Sequence, residues 1–234
     1  MWYRGRMHPA ALALLLLAAC VPRPMVPEAD RRQATEALAG QARWLKVTAA
    51  LRPFYGDPKR LLLTDRPAAE VEPVEGPDGQ PLPLPPAERM VPPGTPFVVE
   101  GIQFPTGLVV AERPAASPRL RPWVLGRLPG EDRQVVLVLP GWVDSLASVM
   151  AAVGRVLALD DLGPRFSALP AAHREAILRN EPADGMGRLA LTMAWGEPDL
   201  VIVQQPAGSE EWRWSGGKRR AFLQDQRLVR WEPR

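Results

Sequence analysis

LVIVQQPAGSEEWRWSGGKRRAFLQDQRLVRW, Leu200 to Trp231, carries a period of two through most of its length. Four β-rich runs, Leu200 to Gln205, Glu211 to Ser215, Arg220 to Gln224 and Arg227 to Trp231, are separated by Pro206-Ala-Gly-Ser, Gly216-Gly217 and Asp225-Gln226, all turn signals. Trp212 and Trp214 flank Arg213, and Val229 and Trp231 flank Arg230. The spacing therefore predicts an antiparallel sheet with one apolar and one basic face. Just upstream the period becomes helical. Pro170 to Asn180 reads as a first helix with Ala172, Ala176 and Ile177 inward, and Met186 to Trp195 as a second, closed by Gly196 and Pro198.

Towards the N-terminus the next helix has Asp144 or Ser145 as its cap and Leu146, Val149, Met150, Val153, Val156 and Leu157 on one face. Gly163-Pro164 closes that segment. Before it stand short strand-like runs: Phe97-Val98-Val99 with Ile102 and Phe104, Leu108-Val109-Val110, Trp123-Val124-Leu125, and Gln134 to Leu139. Leu128-Pro129-Gly130-Glu131-Asp132 suits a hairpin between the last two. From Asp57 to Pro93 periodicity disappears among turn and polyproline signals, so this segment reads as a linker with a hairpin at most. Leu38, Ala42, Leu45 and Ala49 recur at helical spacing, which predicts a helix from about Glu28 to Leu51, ended by Pro53. The expected fold class is α+β. Its parts are a signal segment (1–19), a lipidated spacer and helix (20–56), a Pro-rich linker (57–93), a small β-rich domain with a trailing helix (94–163) and a C-terminal domain (164–234).

Arg4 and Arg6, the apolar run Ala10 to Leu17 and two small residues before Cys20 have the layout of a cleavable secretory signal. Leu17-Ala18-Ala19-Cys20 resembles the lipobox of bacterial lipoproteins, which implies cleavage before Cys20, its thioether lipidation and acylation of the new amino group. Cys20 is the only cysteine, so after lipidation no thiol remains for a disulfide or a thiolate metal site. The chain holds 29 basic and 26 acidic side chains, and loss of Arg4 and Arg6 brings these nearly level, which excludes a general polycation. Proline, at 28 of 234 residues, argues against a mostly helical protein.

Only His8 and His173 are present, and no HExxH or paired ligand spacing accompanies them, so no metal site or cofactor is expected. No GxSxG elbow is found, and no catalytic residue is assigned. Gly185 to Ala190 satisfies GxGxxA, yet Asn180-Glu-Pro-Ala-Asp184 and not a strand precedes it.

The order helix, helix, sheet, with Gly185-Met186 opening the second helix, Trp195-Gly-Glu-Pro-Asp199 ending it and Glu211-Trp-Arg-Trp214 opening a strand, resembles the BamE (SmpA/OmlA-like) family. That resemblance covers about Ala168 to Trp231 and implies an ααβββ domain in an outer-membrane lipoprotein with a scaffold role and no catalysis. Gly94-Thr95 before an apolar strand, with Trp123-Val124 later, resembles bacterial SH3-like modules. Trp212, Arg213, Trp214, Lys218, Arg219, Arg220 and Arg230 form the candidate interaction surface, for an outer-membrane protein or anionic lipid. The same alternation is also what a half-buried sheet requires, with aromatics inward and charges outward. Export disfavours nucleic acid. The expected function is a lipid-anchored, non-enzymatic accessory factor in outer-membrane assembly or envelope integrity, facing the periplasm. The alternative is a peptidoglycan- or glycan-binding lipoprotein that uses the SH3-like middle domain or exposed tryptophans, which predicts solvent-facing Trp123, Trp142, Trp212 and Trp214.

Overall fold

The computed structural model describes residues 26–76, 78–205 and 208–232. The signal segment, Cys20 and most of the spacer lie outside the described residues. Helix α1, Glu28–Leu38, buries Ala34 and Leu38 one turn apart and ends well before the expected Leu51. Gly40, at φ +72°, turns the chain, and its N–H donates to the Val99 carbonyl at 2.8 Å. The following residues become strands β1 (Ala42–Leu45) and β2 (Ala49–Phe54). Leu45 and Ala49 thus fit a helical spacing by coincidence. Ala49, Ala50, Leu51 and Arg52 are all buried, as in a strand covered on both faces. Pro53 is tolerated inside β2 because pairing with β6 (Arg89–Val91) stops at Leu51.

Tyr55-Gly56, both at positive φ, make a two-residue hairpin into β3, Asp57–Thr64. The first part of the expected linker is therefore a core strand. β7 (Pro96–Gln103), β8 (Trp123–Arg127), β9 (Gln134–Val138) and β10 (Leu157–Ala158) complete an eight-stranded sheet in the order β10-β1-β7-β8-β9-β3-β2-β6. It draws on residues 42 to 158, so three segments expected as separate units share one sheet, and no small SH3-like barrel stands apart. All its neighbours are antiparallel except β3 and β9. Between β3 and β6 lie a 3-10 turn, Ala68–Glu70, and the hairpin of β4 (Val74–Glu75) with β5 (Pro81–Leu82). Leu108-Val109-Val110 forms helix α2, Gly107–Glu112, instead of a strand. Its backbone bonds locally, Val110 N–H to the Thr106 carbonyl at 2.8 Å, with Leu108 exposed. The expected β8–β9 hairpin and the α3 helix (Leu146–Val156) are present, the latter with a Ser145–Ser148 capping box.

One face of the large sheet packs Leu51, Leu61, Leu63, Phe97, Val124 and Leu137 with α1 and α3. The opposite face holds Phe54, Leu62, Trp123, Leu125 and Val136 beneath the loop that carries Leu84.

The C-terminal unit follows its sequence pattern closely. After a short α4 (Gly163–Ser167) come α5 (Ala171–Leu178) and α6 (Arg188–Trp195), then a second sheet of β11 (Leu200–Gln204), β12 (Ser209–Trp214), β13 (Arg219–Gln224) and β14 (Arg227–Glu232) in simple meander order. Its core gathers Ile177, Met186, Leu191, Trp195, Trp212, Trp214, Leu223 and Leu228. Val229 departs from the expected alternation. A register shift at Phe222/Leu223 places Leu228 opposite Leu223, so Leu228 is buried and Val229 is exposed. Thr48, between β1 and β2, ties the large sheet to the helices of the C-terminal unit: its hydroxyl donates to the Ile177 carbonyl of α5 at 2.8 Å and its N–H to the Met193 carbonyl of α6 at 2.9 Å. Gly94, at φ +80°, adds a backbone contact, since a Cβ there would lie 2.4 Å from Gly163.

Candidate functional site

The seven residues read as one interaction surface separate into two groups. Trp212, Trp214 and Arg219 are buried, so they leave that surface; period two places them on the helix-covered side. Trp195 and Trp214 meet edge to face at a 5.2 Å centroid distance, and Arg219 lies 5.0 Å from the Trp195 ring centre. The Arg219 guanidinium is clasped by Glu70 from the first unit. Nη2 donates to Oε2 at 2.9 Å, and Nε lies 2.6 Å from Oε1 without the alignment of a hydrogen bond. Ser215 Oγ donates to the same carboxylate.

Arg213, Lys218, Arg220 and Arg230 do reach the outside. They do not make a bare cationic field. Arg213 and Arg220 are direct cross-strand neighbours, and Glu211 sits between them, 2.7 Å from Arg213 Nε and 3.8 Å from Arg220 Nη1. Glu232 pairs with Arg220 at 2.8 Å and with Arg230 at 3.5 Å, while Arg230 also lies over Phe222 at 4.0 Å. The expected basic face is therefore a mixed ladder, because acidic residues recur on the same alternate positions. Beside it runs β11, paired on one side only among the described residues. Its Leu200, Val201 and Val203 are 49%, 42% and 54% exposed, and the strand carries no charge or proline.

On the inner side Glu210 accepts from Arg188 Nε at 3.1 Å and from Trp212 Nε1 at 2.8 Å. These bonds, Arg188's above all, hold its carboxyl below the usual carboxylate value, against the opposing effect of burial. A depressed folded-state value means the contribution is fully present above the unfolded value near 4.5 and is lost as pH falls through the lower, folded one. Acid titration of unfolding stability should therefore show a loss below about pH 4.5 that is smaller in Glu210→Gln. An unchanged acid slope in the variant would remove Glu210 from this role.

A second concave site lies where β3 and β9 end. Among the described residues they are the one parallel pair, and the chain leaves them towards opposite faces: the segment after β3 carries Leu84 to one side, and α3 after β9 packs on the other. Such divergence opens a crevice at the strand ends. Its cavity measures about 110 Å³, with Leu63, Leu137, Leu139, Ala152 and Val156 on its walls and Tyr55, Asp65, Arg66 and Arg121 among its polar residues. The wall carrying Pro118 and Arg121 is fixed by Arg113. That guanidinium lies 3.7 Å over the Trp123 ring and donates to the carbonyls of Gln103, Arg119 and Arg121 at 3.0, 2.8 and 2.7 Å. Burial pulls Arg113 down to about 10, so it remains charged at neutral pH. No sequence motif singles out these crevice residues. The available signal was Tyr55-Gly56 before Leu61-Leu62-Leu63, a hairpin turn leading to a buried strand.

Of the remaining expectations, Cys20 lies outside the described residues. His173 on α5 has Nε2 3.1 Å from the Asp184 carbonyl. Trp142 is 55% exposed, whereas Trp123, Trp212 and Trp214 are buried. Among the described residues no group of three or more His, Cys, Asp or Glu is placed to hold a metal ion, and no helix is long and apolar enough to cross a membrane. In comparisons with known proteins the chain matches no family model, no curated protein and no solved structure.

Proposed function

We propose that this chain is a lipid-anchored envelope protein that acts without catalysis as a scaffold or accessory factor in outer-membrane assembly or envelope integrity, docking an extended segment of a protein partner along the C-terminal sheet. The observation that carries the reading is β11, an uncharged, partly exposed edge strand adjoining a ladder of Arg213, Glu211, Arg220, Glu232 and Arg230. An open edge supplies main-chain hydrogen bonds, and the ladder supplies selectivity for a partner of alternating charge. The two-helix and meander order, α5, α6 and β11 to β14, supports the resemblance to the BamE family. Leu17-Ala18-Ala19-Cys20 supports the tether and periplasm-facing outer-membrane placement. Only seven residues lie between Cys20 and Glu28, a span of at most ~29 Å of extended chain, so the tether holds the folded part close to the bilayer.

Anionic lipid is a weaker partner, since the outward arginines 213, 220 and 230 already have glutamate partners. The glycan reading keeps one of its four tryptophans on the surface, Trp142.

The test is crosslinking in intact envelope followed by capture of the tagged lipoprotein from detergent, with and without prior peptidoglycan digestion. Val203→Lys on the edge and Arg213→Glu with Arg230→Glu on the ladder should each reduce recovery of an envelope protein by about tenfold, the scale of one lost charged or edge contact at 1.4 kcal/mol. Undiminished recovery in all variants, or recovery that collapses on digestion, would overturn the docking surface. Arg219 is unsuitable for this test, because its reversal would place an acid beside buried Glu70.

A further inference from the structure

We propose that the crevice at the ends of β3 and β9 binds a small zwitterion with an apolar side chain, an aliphatic α-amino acid of about the size of leucine. This goes beyond the docking role and rests on different residues. The cavity, about 110 Å³, is walled by Leu63, Leu137, Leu139, Ala152 and Val156, all buried. Apolar cavities of ~150 Å³ accept benzene, so this one suits a short branched aliphatic chain better than a ring.

The polar residues select the head group. Glu72 is held by Arg121 at 2.5 Å, Arg155 by Asp199 at 2.8 Å, and Glu70 by Arg219. Asp65 and Arg66 remain, both half-buried and both lining the cavity, and among the described residues neither has a hydrogen-bond or ion-pair partner. A lone anion would be drawn to Arg66 but repelled by Asp65, and a lone cation the reverse. A ligand carrying an ammonium and a carboxylate on one carbon satisfies both, with its side chain against the leucines. Tyr55 adds a hydroxyl at the same cavity. Burial raises its phenol above the ordinary value, so it stays protonated and able to donate to the carboxylate.

The full-length lipoprotein in detergent, titrated with L-leucine by calorimetry or saturation-transfer NMR, tests the assignment. Saturable binding is expected. 4-Methylpentanoate and 3-methylbutylamine, each keeping one charge, should bind at least about tenfold more weakly. Arg66→Gln should weaken leucine by a similar factor, and Ala152→Leu, which fills the cavity, should abolish binding. Arg213→Glu should leave it unchanged, since that residue belongs to the sheet face. Three results would overturn the proposal: no saturable leucine binding, single-charge analogues as tight as leucine, or an Arg66→Gln protein of native stability and unaltered affinity.

Discussion

Arg219→Met lowers the unfolding free energy by about 3–5 kcal/mol, because it leaves the Glu70 carboxylate buried without its cation. Both side chains are nearly inaccessible, 7% and 8% exposed, and they join the 3-10 turn after β3 to strand β13, so the loss falls on the junction as well as on the C-terminal core. Loss of the guanidinium also removes its contact with the rings of Trp195 and Trp214. Replacing both partners is a different experiment. Glu70→Leu with Arg219→Met should recover more than half of the loss, since desolvation of two charges offsets much of their attraction. Urea unfolding followed by tryptophan fluorescence reads both. A single variant within about 1 kcal/mol of the native protein would mean that Glu70 reaches solvent when Arg219 is removed.

Trp123→Ala should cost about 3–5 kcal/mol, the range for deleting a large buried ring. Trp123 is completely buried and meets Phe54 edge to face at 4.9 Å. It also supports charge. Its upper neighbour is Arg113, and its indole N–H donates to the Pro118 carbonyl at 3.0 Å, so one ring holds the loop that walls the crevice. Trp123→Phe keeps a ring under Arg113 but removes the indole donor from the Pro118 carbonyl, which retains the Arg121 N–H, so about 0.5–1.5 kcal/mol is expected. Hydrogen exchange separates the two effects. In both variants the amides of Arg119 and Arg121, bonded to the Ser117 and Pro118 carbonyls, should exchange faster, and in Trp123→Ala the β8 strand should follow.

The C-terminal unit was legible in the sequence because its contacts are local. Four short strands follow one another as a meander, joined by turns that the residues themselves specify, and alternation alone places Trp212 and Trp214 inward. The large sheet was not legible for the opposite reason. β3 pairs in parallel with a strand some seventy residues later, Leu61 to Val135 and Leu62 to Val136, and a strand buried on both faces carries no alternation to betray it. Ala42 to Leu51 fits a helical spacing yet forms strands for the same reason: its short apolar runs suit either element, and only the neighbouring edges choose. The candidate surface was legible in half. Sequence showed which residues are basic and aromatic but not that Glu211 and Glu232 interleave with Arg213, Arg220 and Arg230, nor that Arg219 turns inward to meet Glu70.

What the sequence by itself determined is the helix-helix-meander of residues 171–232, the α3 start at Asp144 or Ser145, the β8–β9 hairpin and the expectation of a lipid tether at Cys20. These are features of neighbouring residues, where turn chemistry, period and a short motif act directly. Only the tertiary structure decided the order of the eight-stranded sheet, the Arg219–Glu70 clasp and the crevice with Asp65 and Arg66. Each of those depends on groups far apart in the chain, whose burial and pairing exist only once distant strands and loops have packed together.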